Sequence, residues 1–174
     1  MVFFMNKEKL KHHLESNTMR IYGVLDGASV PDLPMRLYEA QLPNYCLFKG
    51  DLHPDLADVA PYLVSLPPDH EFTNWVFSEG FGDDWGIFVH SQESLIEMRG
   101  HFPPLAHTYD ENGNAITFRC YDPRVLRKHL PNCSPEELRA IFGNADALFA
   151  ESEDGGDLLS FELKDDALTQ KVLD

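Results

Sequence analysis

The sequence predicts an α/β fold: a single mixed α/β domain with a central mixed sheet flanked by short helices and a β-hairpin near 105–121. Three observations lead there. Strand-like and helix-like stretches alternate through most of the 174 residues, the rhythm of a layered α/β domain. The length suits one domain with a sizeable core and is short for two. The 43% hydrophobic and 11% aromatic content is that of a globular chain, with no internal repeat, coiled coil, low-complexity run or flexible linker to divide it.

The elements follow in order. A polar helix over about 6–16 presents Leu10 and Leu14 on one side. Arg20–Leu25 is a strand that breaks at Asp26-Gly27. Leu33, Leu37 and Ala40 share helical spacing, so 33–41 reads as a short helix. Tyr45–Gly50 is a second short strand, followed by a polar, proline-containing loop and then a strand over Pro61–Leu66. Asp69 is expected to cap a helix that carries Phe72, Trp75 and Val76 on one face and stops near Gly80. Trp85–His90 is a strand, and Ser91 is expected to open a helix with Leu95, Met98 and Phe102 inward. The hairpin follows, with Asn112-Gly113 at its turn, the dipeptide that best tolerates positive φ at both central positions.

FRCYDPRVL, Phe118–Leu126, is the most informative stretch. Ile116, Phe118 and Cys120 alternate with Thr117, Arg119 and Tyr121, the period of a half-buried strand. Asp122 can then cap the next helix, and Pro123 fits its first position, where no N–H is needed. Ser134 and Glu137 form a capping box around Pro135, and Gly143 terminates that last helix. From Asn144 acidity rises through strand-like ALFAES, an acidic Gly-Gly loop, strand-like LLSFEL and a short terminal helix. The expected organisation is an N-terminal helix over 1–17, the main α/β domain over 18–143, and a short acidic extension over 144–174 packed on the same domain.

The chain carries 14 Lys and Arg against 29 Asp and Glu, a formal charge of −15. Phosphates would be repelled, which argues against nucleic acid or anionic membrane as a partner and favours basic or neutral proteins. Cys46, Cys120 and Cys133 form an odd set without paired spacing, and Cys46 and Cys120 read as small buried hydrophobes. The first residues lack the long apolar core of a signal peptide, and no apolar stretch approaches a membrane span. The cytoplasm is the expected location.

Candidates for chemistry are few. Asp51, His53 and Asp55 alternate like metal ligands, but Pro54 and the polar surroundings suggest a loop, so no metal is expected. His12 and His13 point about 100° apart on a helix. Asp26 ends a strand, where α/β folds often place catalytic groups; the plainer reading is a turn cap or a partner for Arg20 or Arg124. Ser29, Ser65 and Ser91 lack a nucleophile-elbow context, and no phosphate-binding glycine pattern appears. Neither catalytic residues nor cofactor are expected. Phe72, Trp75, Phe77, Phe81, Trp85 and Phe88 cluster tightly and read mainly as core. Trp85, after a Gly-Asp-Asp turn, is the best candidate for a rim position where aromatics anchor partners.

The ordered series YGVLDGA, LF, APYLVSL, WGIFVHS, FRCYDPRVL and FG, from about Arg20 to Gly143, resembles the domain of unknown function 4123 found in adaptor or chaperone proteins of bacterial type VI secretion systems. The resemblance implies a cytoplasmic protein, not an enzyme, whose partners are a toxic effector and the VgrG spike protein onto which that effector is loaded. It transfers only the strand-helix corner, at Arg119, Tyr121, Asp122, Pro123 and Arg124. A client groove edged by Trp85 and the Tyr121–Arg124 corner is the resulting expectation, with Trp85, Arg119, Tyr121 and Arg124 as the partner-binding residues. Longer members carry a further C-terminal region often thought to help choose the client; here about thirty residues follow Gly143, leaving that role to the acidic tail or to the core domain. Two alternatives stay open. An acidic immunity protein would use Glu151–Asp157 against a basic toxin, and a small hydrolase would use Asp26 or His53.

Overall fold

The computed structural model describes residues 2–16, 18–102 and 104–173; residues 1, 17 and 174 of the expected terminal segments lie outside them. The chain forms α1 (Val2–Glu15), β1 (Arg20–Asp26), α2 (Leu33–Ala40), β2 (Asn44–Cys46), α3 (Pro54–Asp58), β3 (Pro61–Ser65) and α4 (Glu71–Trp75). It continues through β4 (Gly86–Ser91), α5 (Leu95–His101), β5 (Leu105–Tyr109), β6 (Ala115–Arg119), α6 (Pro123–His129) and α7 (Pro135–Phe142). It ends in β7 (Ala147–Glu151), β8 (Leu158–Lys164) and β9 (Ala167–Leu173).

Seven strands make one sheet in the order β2-β3-β1-β4-β7-β8-β9, and β5 and β6 make a separate hairpin. The mixed α/β single domain expected from the sequence is therefore what forms. Within it the six pairings of the large sheet are antiparallel, where a mixed sheet was the expectation. Alternation along each strand sends side chains to opposite faces, and both faces are covered. Tyr22, Val24, Ile87, Val89, Leu148 and Ala150 pack under α5, the hairpin, α6 and α7 through Met98, Phe118, Leu126 and Ile141. Ile21, Leu25, Phe88 and Phe149 pack under α1, α2 and α4 through Leu10, Leu14, Leu33, Leu37 and Phe72.

Several local expectations change, each for a physical reason. His70, not Asp69, caps α4: its Nδ1 accepts from the Phe72 N–H at 3.1 Å, while Asp69 takes φ 61° in the preceding turn. The helical path then widens into a π turn over Val76–Gly80. Ser91 ends β4, and Ser94 opens α5 with its N–H donating to Glu97 at 2.8 Å. The 105–121 hairpin forms, but only Gly113 of the Asn112-Gly113 pair takes positive φ, 78°. Its loop is held by the Asp110 carboxylate, which accepts from the N–H groups of Asn112 and Asn114 at 2.9 and 2.8 Å. The loop over 50–60 contains α3, with His53 as its cap.

The end of the chain departs most. The expected terminal helix is β9, because Asp165 and Asp166 adopt φ 49° and 64° and fold the chain straight back on β8. Two left-handed residues give a hairpin turn whose twist matches the strands, and pairing with β8 overrides weak local preference.

Candidate functional site

One end of the large sheet gathers the candidate residues. Leu25 lies opposite Gly86 and Phe88 opposite Phe149, so the end of β1, the start of β4 and the end of β7 share one edge. The FGDDWG loop, Phe81–Gly86, enters β4 there. Glu151, at the end of β7, is buried, and its carboxylate accepts from the Gly82 and Asp84 N–H groups at 2.6 and 2.8 Å. Its carbonyl accepts from Arg127 Nη1 at 2.7 Å. Burial and the neighbouring Asp84 carboxylate push Glu151 up to about 7, against the opposing pull of the two loop N–H groups.

The strand-helix corner stands beside this loop. Asp122 is buried, and its Oδ1 accepts from the Arg124 N–H at 3.0 Å, capping α6 as its sequence position predicts. The Arg124 guanidinium grips the same carboxylate at both oxygens, through Nε at 3.0 Å and Nη2 at 2.9 Å. Arg119 adds a third side-chain contact at 3.2 Å. Burial works against the charge on Asp122, but Arg124 and then Arg119 outweigh it and hold the carboxyl below its ordinary value. Fork-shaped gripping of this kind fixes a guanidinium in plane as well as in place.

Asp84 connects loop to corner. Its carboxylate lies 3.8 Å from Arg124 Nε and 3.9 Å from Arg127 Nη1. Three carboxylates, Asp84, Asp122 and Glu151, thus meet three guanidiniums, those of Arg119, Arg124 and Arg127. The cluster is close to charge-balanced, so what Arg119 and Arg124 offer outward is flat guanidinium surface more than net positive charge. Both side chains are about half exposed, 47% and 54%.

Trp85 follows Asp84 and carries the surface onward. Its ring stands 4.7 Å from that of Trp75, and the Arg36 guanidinium lies over Trp75 at 4.2 Å. Gly80 makes this seat possible: a Cβ there would lie 2.5 Å from Trp85 Cε3. Beside Trp75 a pocket of about 260 Å³ is lined by Arg36, Glu39, His70, Glu71 and Phe72 among others.

Of the four residues expected to bind a partner, Arg119 and Arg124 stand half-exposed at the corner, while Trp85, one residue past Asp84, is only partly exposed and packs with Trp75 against the core on the other face of the sheet. Tyr121 does not reach the surface. It is 3% exposed within the core under α6 and α7, because the alternation that puts Arg119 outward is broken at the turn into α6. Asp84 and Arg127 are not among the expected site residues, and Glu151, expected as part of an acidic surface, is instead buried between the loop and the corner. Only the two acids of the Gly-Asp-Asp turn hinted at this cluster, since Glu151 meets its partners across the sheet.

The other candidates have local tasks. Asp26 is buried at the end of β1 and accepts from the Ala28 N–H at 3.0 Å and Ser29 Oγ at 3.4 Å. His53 Nδ1 accepts from the Asp55 N–H at 3.3 Å. Among the described residues no group of three or more His, Cys, Asp or Glu is placed to hold a metal ion, and no helix is long and apolar enough to cross a membrane.

No curated protein and no solved structure matches the chain. The domain of unknown function DUF4123 matches residues 21–140, a stretch that holds β1 to β4, the FGDDWG loop and the whole strand-helix corner. That is more than half of the chain, and the protein belongs to the DUF4123 family.

Proposed function

We propose that this protein is a type VI secretion adaptor: in the cytoplasm it binds a toxic effector and helps load it onto the VgrG spike, without catalysing a reaction itself. Membership of the DUF4123 family supports the reading, since the sequence resemblance links that family to such adaptors. The observation that carries it is the corner where Arg119 and Arg124 stand half-exposed on the buried Asp122 carboxylate, beside the loop that carries Trp85. Aromatic and arginine side chains are the residue types that anchor protein interfaces, and here a buried carboxylate holds the arginines ready. Preorganised side chains lose little freedom on binding, while the small corner suits a grip that must later be released.

The acidic segment 151–157 favours the immunity alternative less than its composition suggests. Glu151 is buried against the FGDDWG loop, and Asp154 accepts from Ser152 Oγ at 2.5 Å and from the Gly156 N–H at 3.1 Å.

The test is co-purification of the native effector with the tagged protein. Arg119→Ala combined with Trp85→Ala removes one charge and one ring, adds no carboxylate beside Asp122 and leaves the bidentate Arg124–Asp122 pair in place. The expected outcome is loss of effector from a variant that still unfolds cooperatively, with a midpoint lowered by the lost Trp75–Trp85 packing. Full retention by the folded variant overturns the placement, and absence of any effector with the wild type overturns the function.

A further inference from the structure

The two edges of the large sheet differ sharply. β2 offers three residues, Asn44–Cys46, and the Arg99 guanidinium covers its Tyr45 ring at 4.5 Å. β9 offers seven residues, Ala167–Leu173, nearly all exposed or half-exposed, and it is terminal in the strand order. A long edge strand presents a row of backbone groups ready to pair with another strand.

The register says which groups those are. The two-residue turn at Asp165-Asp166 sets Lys164 opposite Ala167, which in such a hairpin is a hydrogen-bonded pair. Ala167, Thr169, Lys171 and Leu173 therefore bond inward to β8. Leu168, Gln170 and Val172 turn their N–H and C=O groups outward.

The sequence of β9 is a palindrome in polarity. Ala167 and Leu168 are apolar, Thr169, Gln170 and Lys171 polar, Val172 and Leu173 apolar, so the pattern reads the same in both directions about Gln170. A two-fold axis at Gln170 sets Leu168 opposite Val172 of a second copy and Ala167 opposite Leu173, with Thr169 facing Lys171. All seven residues pair, apolar with apolar and polar with polar. The three outward residues then exchange hydrogen bonds with their counterparts. Shifting the axis one way, to Lys171, brings two lysines face to face. Shifting it the other way, to Thr169, sets Leu168 against Gln170 and Val172 against Asp166. Opposite residues on paired strands interact directly, and like charges there repel, so the pattern selects one register.

We propose that β9 is a dimerisation edge on which a second copy of this chain pairs antiparallel about Gln170, joining two seven-stranded sheets into one. This does not depend on the adaptor reading. One strand pair is smaller than the roughly 1,600 Å² that standard stable interfaces bury, so the dimer dissociates on dilution. Each copy carries a charge of −15, so added salt strengthens the pairing by screening, the reverse of a contact held by ion pairs.

Sedimentation across a wide concentration range, with Gln170→Lys and Gln170→Glu studied singly and mixed, tests this. Gln170 is exposed, so neither change disturbs the fold, which thermal unfolding verifies. The expected result is a concentration-dependent dimer for the wild type, several-fold weaker self-association for each variant alone, and a dimer again when the two are mixed. A wild type that stays monomeric throughout overturns the proposal, even if β9 captures an extended peptide instead. So does a dimer indifferent to Gln170→Lys, or a mixture that fails to restore pairing.

Discussion

Glu151 is 6% exposed yet accepts from two loop N–H groups, and burial with Asp84 beside it raises its carboxyl from 4.5 to about 7. The raised value means that the folded state holds a proton the unfolded chain would release. Its contribution to stability is therefore complete below about 4.5 and is lost as pH rises through about 7. His90 acts in the opposite sense. Burial lowers it below 6.5 while its Nε2 donates to the Leu14 carbonyl at 3.0 Å, so its contribution is complete above that value and lost as pH falls. Glu151→Gln keeps an acceptor oxygen for one of the two loop N–H groups, sets an NH2 against the other, and abolishes the carboxyl titration. Chemical denaturation between pH 4.5 and 7 is expected to lose Glu151's share of the declining component in this variant, leaving that of Glu15, also raised by burial, and the rising one due to His90. An unchanged profile would sink the assignment. Residue roles were legible where partners sit close in sequence. Asp122 and the Ser134–Glu137 box each act within three residues, so spacing alone revealed them. Glu151 meets Gly82 and Asp84 across separations of 69 and 67 residues, and no local pattern encodes that.

The break after β1 depends on the absence of a side chain. A Cβ on Gly27 would lie 2.5 Å from the Asp58 carbonyl oxygen and 2.6 Å from that of Ala60, and backbone atoms cannot swing aside as a side-chain tip would. Gly27→Ala is expected to destabilise the protein by about 1–3 kcal/mol through overpacking, read as a lower urea midpoint at unchanged slope. The sequence showed the break but not its neighbours, which arrive from the loop before β3. The same limit explains the other departures. Strands such as β1 and β7 and helices such as α2 and α7 carry their own periodicity and were readable. β9 has no such signature, and only its pairing with β8 decides its state. At α4 the competing caps Asp69 and His70 are adjacent, so composition could not choose between them. At the hairpin, Asp110 anchors a wider loop than the Asn112-Gly113 pair implied.

Across the molecule, the stretch matched by the family, residues 21–140, does not contain the whole sheet. β7, β8 and β9 lie beyond it and supply three of the seven strands. β7 pairs with β4 at Phe88–Phe149 and buries Leu148 and Ala150, while Phe161 of β8 is fully enclosed. A fragment of residues 1–143 would leave one side of β4 unpaired and apolar surface open on both faces. It is expected to lose fixed tertiary packing, seen as loss of near-ultraviolet dichroism and gain of hydrophobic dye binding. A fragment with native spectra would show the last three strands to be dispensable. The acidic end of the chain thus belongs to the sheet first, and any part in choosing a client comes on top of that.

The Trp75–Trp85 pair has a practical corollary. These are the chain's two tryptophans, set ring against ring with Arg36 laid over one of them. All indole emission from the protein therefore originates at this single spot next to Asp84 and Arg124. A ligand settling there should alter the intensity or colour of that light without any attached dye, whereas one docking on the far rim of the sheet should leave it unchanged.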